Sequence, residues 1–132
     1  MQIKVSEDTF RFYIASEKWV PVVGHEIKVG EHKFCAIPNT AGICVAEVTS
    51  GIVAMNIKSN ILMVLETFSK EKTILYFEDI GKRIQKAIEV NPNFEENLKI
   101  ETLKVLERLG EMPPIEKVDI HSMLRNESTT YH

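Results

Sequence analysis

The chain is poor in the features that would announce a specialised class. It holds only two cysteines in 132 residues, Cys35 and Cys44, too few for a disulfide framework. The start, Met1-Gln2-Ile3-Lys4-Val5, enters alternating structure at once and shows no apolar leader, so both thiols read as reduced thiols of a cytoplasm. The longest uninterrupted apolar run is Ile61 to Leu65, far short of the roughly 20 residues that span a bilayer. Charge of one sign is also lacking. Sixteen basic against nineteen acidic residues leave a net charge of −3, which argues against nucleic acid and membrane as partners.

Catalytic signatures are missing as well. No Gly-x-x-x-x-Gly-Lys-Ser/Thr or Gly-x-Gly-x-x-Gly phosphate loop is present, and Ser50-Gly51 lacks the surrounding glycines of a nucleophile elbow. His25 and His32 could share a ligand across one hairpin, but a closed metal site needs about four ligands and no Cys-x-x-Cys or His-x-x-x-His pair supplies the rest. Exposed strand histidines explain them more simply. Cys35 and Cys44 flank one turn and could face each other across it. Neither shows a neighbouring base or a cause for a lowered pKa, so small buried thiols are the plainer account. The acidic pairs Glu78-Asp79 and Glu95-Glu96 diverge by about 100° on a helix and read as solvated faces. The sequence therefore implies no enzyme, no metal and no cofactor.

What is present is a change of period. A 44% hydrophobic chain of this length can bury a core as a single domain. Residues 1–57 read as a β-rich half, 58–125 as a helical half and 126–132 as a frayed tail. In the first half, Thr9 to Ile14 places Phe10, Phe12 and Ile14 on one face. Lys18 to Val23 carries Pro21, which cannot donate to a ladder and predicts an edge or a bulge. Gly24 breaks that run before His25 to Val29. Gly30 marks a hairpin turn, Pro38 to Gly42 a second turn and Ser50-Gly51 a third. The strands Lys33–Ile37, Ile43–Thr49 and Ile52–Ile57 complete an antiparallel meander of five to six short strands.

Beyond Lys58 the apolar spacing becomes helical. Ile61, Leu62, Val64, Leu65 and Phe68 predict a first helix. Ser69 to Lys72 reads as a polar break. A second helix comes next, capped by Thr73, with Phe77, Ile80, Ile84, Ala87 and Ile88 as its stripe. Gly81 within it points to a bend or close packing, since it costs about 1 kcal/mol against alanine. Asn91-Pro92-Asn93 ends that helix. A third would bury Leu98, Thr102, Leu103, Leu106 and Leu109, and stop at Gly110 before Pro113-Pro114. Ile115 to Leu124 fits a short fourth helix. The fold class is α+β, with three or four helices packed on the sheet.

Candidate binding residues are few. Trp19 is the only tryptophan and is an anchor candidate, because that residue type is enriched in interface hot spots. Lys82, Arg83 and Lys86 share one side of the second helix, but Glu71, Glu78, Asp79 and Glu89 are interleaved. Two main readings are open, with nucleic-acid binding through Lys82 and Arg83 as a weaker third. In the first, the chain is a non-catalytic binding protein acting through protein contacts. Its partner could be a second copy of itself in a homo-oligomer, since its helical stripes are generous for one small sheet. In the second it binds or sequesters a small nucleotide-type signal: Trp19, Tyr76 or Tyr131 would stack on a base, and Lys82, Arg83, Lys86 or Arg125 would meet phosphates.

Val20 to Pro38, with Gly30 in its hairpin and Ala36-Ile37-Pro38 at its end, and Ile43 to Met55, with Val48-Thr49-Ser50-Gly51, together resemble small accessory proteins of phages and integrative mobile elements. Those carry a Gly-containing hairpin, a strand ending near Ala-Ile-His, and a strand with Val-Thr-His/Glu-x-Thr-Gly followed by helices. Here Pro38 stands in the place of the histidine and Ser50 in that of the threonine. The resemblance implies a gene neighbourhood rather than an activity, and it carries over no functional residue.

Overall fold

Alternating side chains set the strands of this molecule, and turn residues and caps set where its elements begin and end. The computed structural model describes residues 2–58 and 69–118. Five strands run in sequence as an antiparallel meander: β1 (Ile3–Ala15), β2 (Trp19–Val29), β3 (His32–Asn39), β4 (Gly42–Glu47) and β5 (Val53–Lys58). Helices α1 (Lys70–Glu89) and α2 (Phe94–Leu109) come next, and a short β6 (Glu116–Val118) returns to the sheet. The spatial order is β5-β4-β3-β2-β1-β6, and every pairing is antiparallel.

Both faces of this sheet are dry at its centre. Ile27, Val29, Phe34, Ala36, Ile43 and Val45 point to one face and pack against Phe77, Ile80 and Ile84 of α1. Cys35, Ile37, Cys44, Ala46 and Val48 point to the other. β4 is accordingly buried along its whole length. No helix among the described residues supplies the cover for the second face. The β1–β2 hairpin does so, by bending over it.

The bend has two local causes. Between Val5 and Thr9 the register of β1 against β2 shifts, a bulge, where the Ser6 hydroxyl accepts from the Asp8 amide at 3.1 Å. Opposite, Gly24 pairs with Phe10, and a Cβ at Gly24 would stand 2.2 Å from the Ala36 carbonyl oxygen. Only a residue without a side chain lets β2 cross β3 so closely. Beyond the bend, Phe10, Phe12, Ile14 and Val22 pack down onto the second face. The result is a half-closed barrel with α1 on its outer side. The sequence predicts a break at Gly24; the strand instead passes through it, so the expected short strands become two long ones of 13 and 11 residues. Pro21 lies on the outer edge of the bent arm, paired to Tyr13 alone, as its missing donor requires.

The helices correct several expectations. Lys70 to Lys72 are already helical: Ser69 is the N-cap of α1 and its side chain accepts from the Lys72 amide at 3.2 Å. The helix therefore starts before Thr73. Gly81 is buried, and a Cβ there would meet Ile3 Cγ2 at 2.5 Å, so close packing is the reason for it. α2 starts at Phe94, carries Glu95 and Glu96 in its first turn, and ends where the Gly110 amide reaches the Leu106 carbonyl at φ 77°. Its inward face matches the expected one at Leu98, Thr102 and Leu109 and departs from it at Leu103 and Leu106. Leu98, Thr102 and Leu109 are half-buried and Val105 is buried, whereas Leu103 and Leu106 point to solvent.

Two helices, not three or four, stand among the described residues. The helix expected over 61–68 lies outside them. The start of the expected fourth helix is a strand, since Glu116, Lys117 and Val118 pair with Arg11, Phe10 and Thr9. The rest of that segment lies outside the described residues, as do Arg125 and Tyr131.

Candidate functional site: three surfaces

Three surface features have a composition that ordinary solvation does not explain. The first is a groove of about 270 Å³ between β5, α1 and the start of α2. Phe34, Met55, Ile84, Ile88, Phe94 and Leu98 form its apolar part, and Asn91, Asn97 and Glu101 its polar rim. Glu47 also reaches it, but its carboxylate is already engaged. It accepts from the Thr49 amide at 2.7 Å, the Thr49 hydroxyl at 2.8 Å and the Ser50 amide at 2.9 Å. That arrangement explains how a carboxylate only 4% exposed is tolerated. Glu47 organises the β4–β5 turn and offers little to a ligand.

The second feature is a row of cations. Lys4 lies directly opposite Lys28 in the β1–β2 register, and Lys28 directly opposite Lys33 in the β2–β3 register. Opposed residues share a face with their Cβ atoms about 5 Å apart, so three lysines cross three strands side by side. All three are exposed, and none has an ion-pair partner within the described residues. They line a shallow concavity together with Ser6, Glu7, Asp8 and Glu26. Glu7 and Asp8 face other cations, Lys70 at 3.3 Å and Lys117 at 3.4 Å. Glu26 is left as the nearest balancing charge on β2.

The third is the outer face of α2. Ile100, Leu103 and Leu106 are 47%, 66% and 44% exposed, while Val105 on the inner face is 6% exposed. Three large apolar side chains thus succeed one another along the solvent side of a helix.

The residues named from sequence are not gathered into one site. Trp19 sits at the tip of the bent arm, where its Cζ3 would lie 2.8 Å from a Cβ at Gly51. Its indole Nε1 is buried without a hydrogen-bond partner among the described residues. Tyr76 lies on α1 and packs, half-buried, against the core, with its ring 6.1 Å from that of Phe77. Lys82, Arg83 and Lys86 are exposed on α1, and Lys82 stands 3.8 Å from Asp79. The arm covers the sheet face opposite α1, so Trp19 and the α1 cations do not form a base-plus-phosphate pocket.

The histidines are separated too. His25 stacks on Phe77 at 5.0 Å and its Nδ1 lies 3.0 Å from the Ser6 carbonyl. His32 meets the edge of Phe94 at 5.0 Å and lies 3.5 Å from Glu95. Each ring is used in packing a different helix. Among the described residues no group of three or more His, Cys, Asp or Glu could hold a metal ion. Cys35 and Cys44 share the second face diagonally rather than face to face, because Cys35 pairs with Ala46 and Cys44 with Ile37. Both are free thiols. Burial pushes the Cys35 thiol up to about 12 and raises that of Cys44 as well, the reverse of what a nucleophile needs.

The lysine row is not among the residues named from sequence, and Leu103 and Leu106 of the outer α2 face are named there only as buried positions. The Gly30 turn contains the signal for two of the three lysines, because a two-residue loop at 30–31 sets Lys28 against Lys33. Lys4 joins them only through the β1–β2 register. Comparison of the chain with protein-family models, curated proteins and solved structures finds no match. Among the described residues no helix is long and apolar enough to cross a membrane.

Proposed function

We propose that this chain is a non-catalytic, cytoplasmic accessory protein of a phage or integrative mobile element, acting through protein contacts made by the outer face of α2. The observation that supports the contact reading is the exposure of Ile100, Leu103 and Leu106 on a helix whose opposite side already anchors it through Val105. Leaving such side chains in water brings no folding benefit, whereas burying one on association is worth about 1.5–3 kcal/mol. The assignment to a mobile element rests on the resemblance of Val20–Pro38 and Ile43–Met55, and on that alone. Its check is the set of genes flanking the coding sequence.

The contact reading is tested in cells. A tagged protein at its natural level is expected to migrate as a species larger than its own 15.1 kDa, and a Leu103→Asp variant at the monomer position. Migration of both at the monomer position would refute it.

A second reading, capture of a small nucleotide-type anion, draws support from the register of Lys4, Lys28 and Lys33. In that case phosphates would meet this row rather than Lys82, Arg83 and Lys86.

A further inference from the structure

Two small residues keep open the groove between β5, α1 and α2. Ala54 on β5 and Ala87 on α1 both line it and are exposed, at positions where larger side chains would fill the space. Its floor is apolar. Phe34 and Ile84 are buried there, and the rings of Phe34 and Phe94 stand 6.5 Å apart at 34°, a surface suited to a flat apolar body. The volume of about 270 Å³ is near the lower end of the roughly 300–1,000 Å³ typical of small-molecule sites. That sizes the occupant as a small molecule rather than a partner's helix.

Side chains set the sign of the charge. Two carboxylates, Glu47 and Glu101, line the groove, and no lysine, arginine or histidine does. The lone pairs of Glu47 are used by the β4–β5 turn, so Glu47 contributes charge but no contact. Glu101 is different. It stands exposed on the rim, one turn of α2 beyond Asn97. Its Oε1 accepts from the Lys104 ammonium at 3.3 Å, while Oε2 has no partner among the described residues. Counting Lys104 still leaves the groove negative, and an exposed pair of this kind holds its members only weakly. The C-terminus of α1 and the N-terminus of α2 meet beside it, so their opposite end charges offset one another.

We infer that this groove binds a small amphiphilic cation, with its apolar body laid against Phe34, Ile84, Phe94 and Leu98 and its ammonium at the free oxygen of Glu101. The binding site is separate from the outer face of α2, since Ile100, Leu103 and Leu106 do not line it.

The test is a charge series of one shape, followed by amide chemical shifts of the full chain at pH 7. The probes are 2-phenylethylamine, a cation at that pH, the neutral 2-phenylethanol and the anionic 3-phenylpropanoate. Ligands this small are expected to bind with dissociation constants of about 0.1–5 mM. The cation should bind roughly three- to tenfold more tightly than the alcohol, and the carboxylate more weakly than either. Shifts should gather at Ala54, Met55, Ala87, Ile88 and Leu98. Glu101→Gln is expected to bring the cation down to the affinity of the alcohol and to leave the alcohol unchanged, which shows that the groove itself is intact. Ala54→Phe fills the groove and should weaken both at least tenfold. Both residues are exposed, and the amide spectrum of each free variant checks its fold.

Equal affinity for all three probes would overturn the inference, because the groove would then have no preference for charge. Cation binding indifferent to Glu101→Gln or to Ala54→Phe would overturn it by placing the ammonium or the body elsewhere. No shift with any probe at 10 mM would overturn it as well. Leu103→Asp should leave binding of the cation unchanged, so the contact reading and this one stand or fall separately.

Discussion

The Ala15 amide donates a 2.8 Å hydrogen bond to the Gly51 carbonyl, joining the tip of the β1–β2 hairpin to the β4–β5 turn. It is the latch of the half-closed barrel. Gly51 is held there at φ 71°, and a Cβ would stand 2.7 Å from the Tyr13 carbonyl oxygen, 2.8 Å from Trp19 and 2.9 Å from the Ala15 nitrogen. Gly51→Ala is therefore expected to cost at least about 2 kcal/mol, combining left-handed strain with displaced backbone. Denaturant unfolding measures the loss. The emission of Trp19, the only tryptophan, should change in the folded state, because that ring is what the new methyl group meets. Unchanged stability and emission would remove the latch.

Gly24→Ala is expected to be worse, by about 3 kcal/mol or more. Here the obstacle at 2.2 Å is the Ala36 carbonyl oxygen, in the middle of a paired strand, and it cannot step aside. The same unfolding measurement ranks the two glycines. A Gly24→Ala protein as stable as the wild type would show that the arm does not need this close crossing.

Glu47 gives a third prediction. Glu47→Ala leaves the Thr49 and Ser50 amides without their acceptor and should cost about 2–4 kcal/mol, as charged acceptors of buried amides do. Glu47→Gln keeps the shape and one carbonyl acceptor, so a smaller loss is expected. Equal losses for both would show that charge, rather than the acceptor geometry, holds the turn.

The raised thiol of Cys35 makes stability depend on alkaline pH. The unfolded thiol releases its proton near 9.0 and the folded one at about 12. Below pH 9 both states keep the proton and nothing changes. Between 9 and 12 the folded state holds one proton more than the unfolded state, so stability falls as pH rises, by about 1.4 kcal/mol per pH unit for this group. Cys35→Ala should flatten that slope relative to wild type, although it also removes volume from the second-face core. In the native state at pH 8 Cys35 should resist alkylation, and rapid labelling without unfolding would contradict its burial.

Neutralising the middle of the lysine row has two opposite effects. Lys28→Gln removes the like-charge contacts with Lys4 and Lys33 and should stabilise the free protein by up to about 1 kcal/mol at low salt, fading as salt screens the row. If the row receives phosphates, pyrophosphate should stabilise the wild type and not the variant. At a hundred times its dissociation constant a ligand adds about 2.7 kcal/mol. Equal thermal shifts in both proteins would rule out the anion reading.

Legibility in the sequence differs from feature to feature. The turns are plain, because Gly30, Gly51 and Gly110 all take the positive φ that their positions demand. β5 ends at Lys58 and the next described element is the helix from Lys70, in keeping with the change of apolar period between them, but β6 then returns to the sheet. The closure of the barrel is not legible, since Gly24 looks the same in a break as in a crossing, and only the partner strand distinguishes them. On α2, two overlapping spacings compete: 98, 102, 105 and 109 against 99, 103 and 106. Val105 belongs to the first and is the buried one, a choice made by the sheet beneath. Three residues of β6 carry too little period to be told from a helical turn. The lysine row depends on three strands at once, which no single window displays.

The pairing of β6 with β1 has a consequence for how the molecule is made. Thr9 donates its hydroxyl hydrogen to the Val118 carbonyl at 2.7 Å across 109 positions of chain. β1 therefore leaves the ribosome before β2 to β5, α1 and α2, and waits for all of them to emerge before its outer neighbour arrives. Until then the nascent chain presents an open β1 edge, a place where another strand can add. Slow translation or a shortage of chaperone should be felt there first, and the acid and base placed along that seam, Glu116 against Arg11 and Lys117 against Asp8, favour the late strand over a stranger.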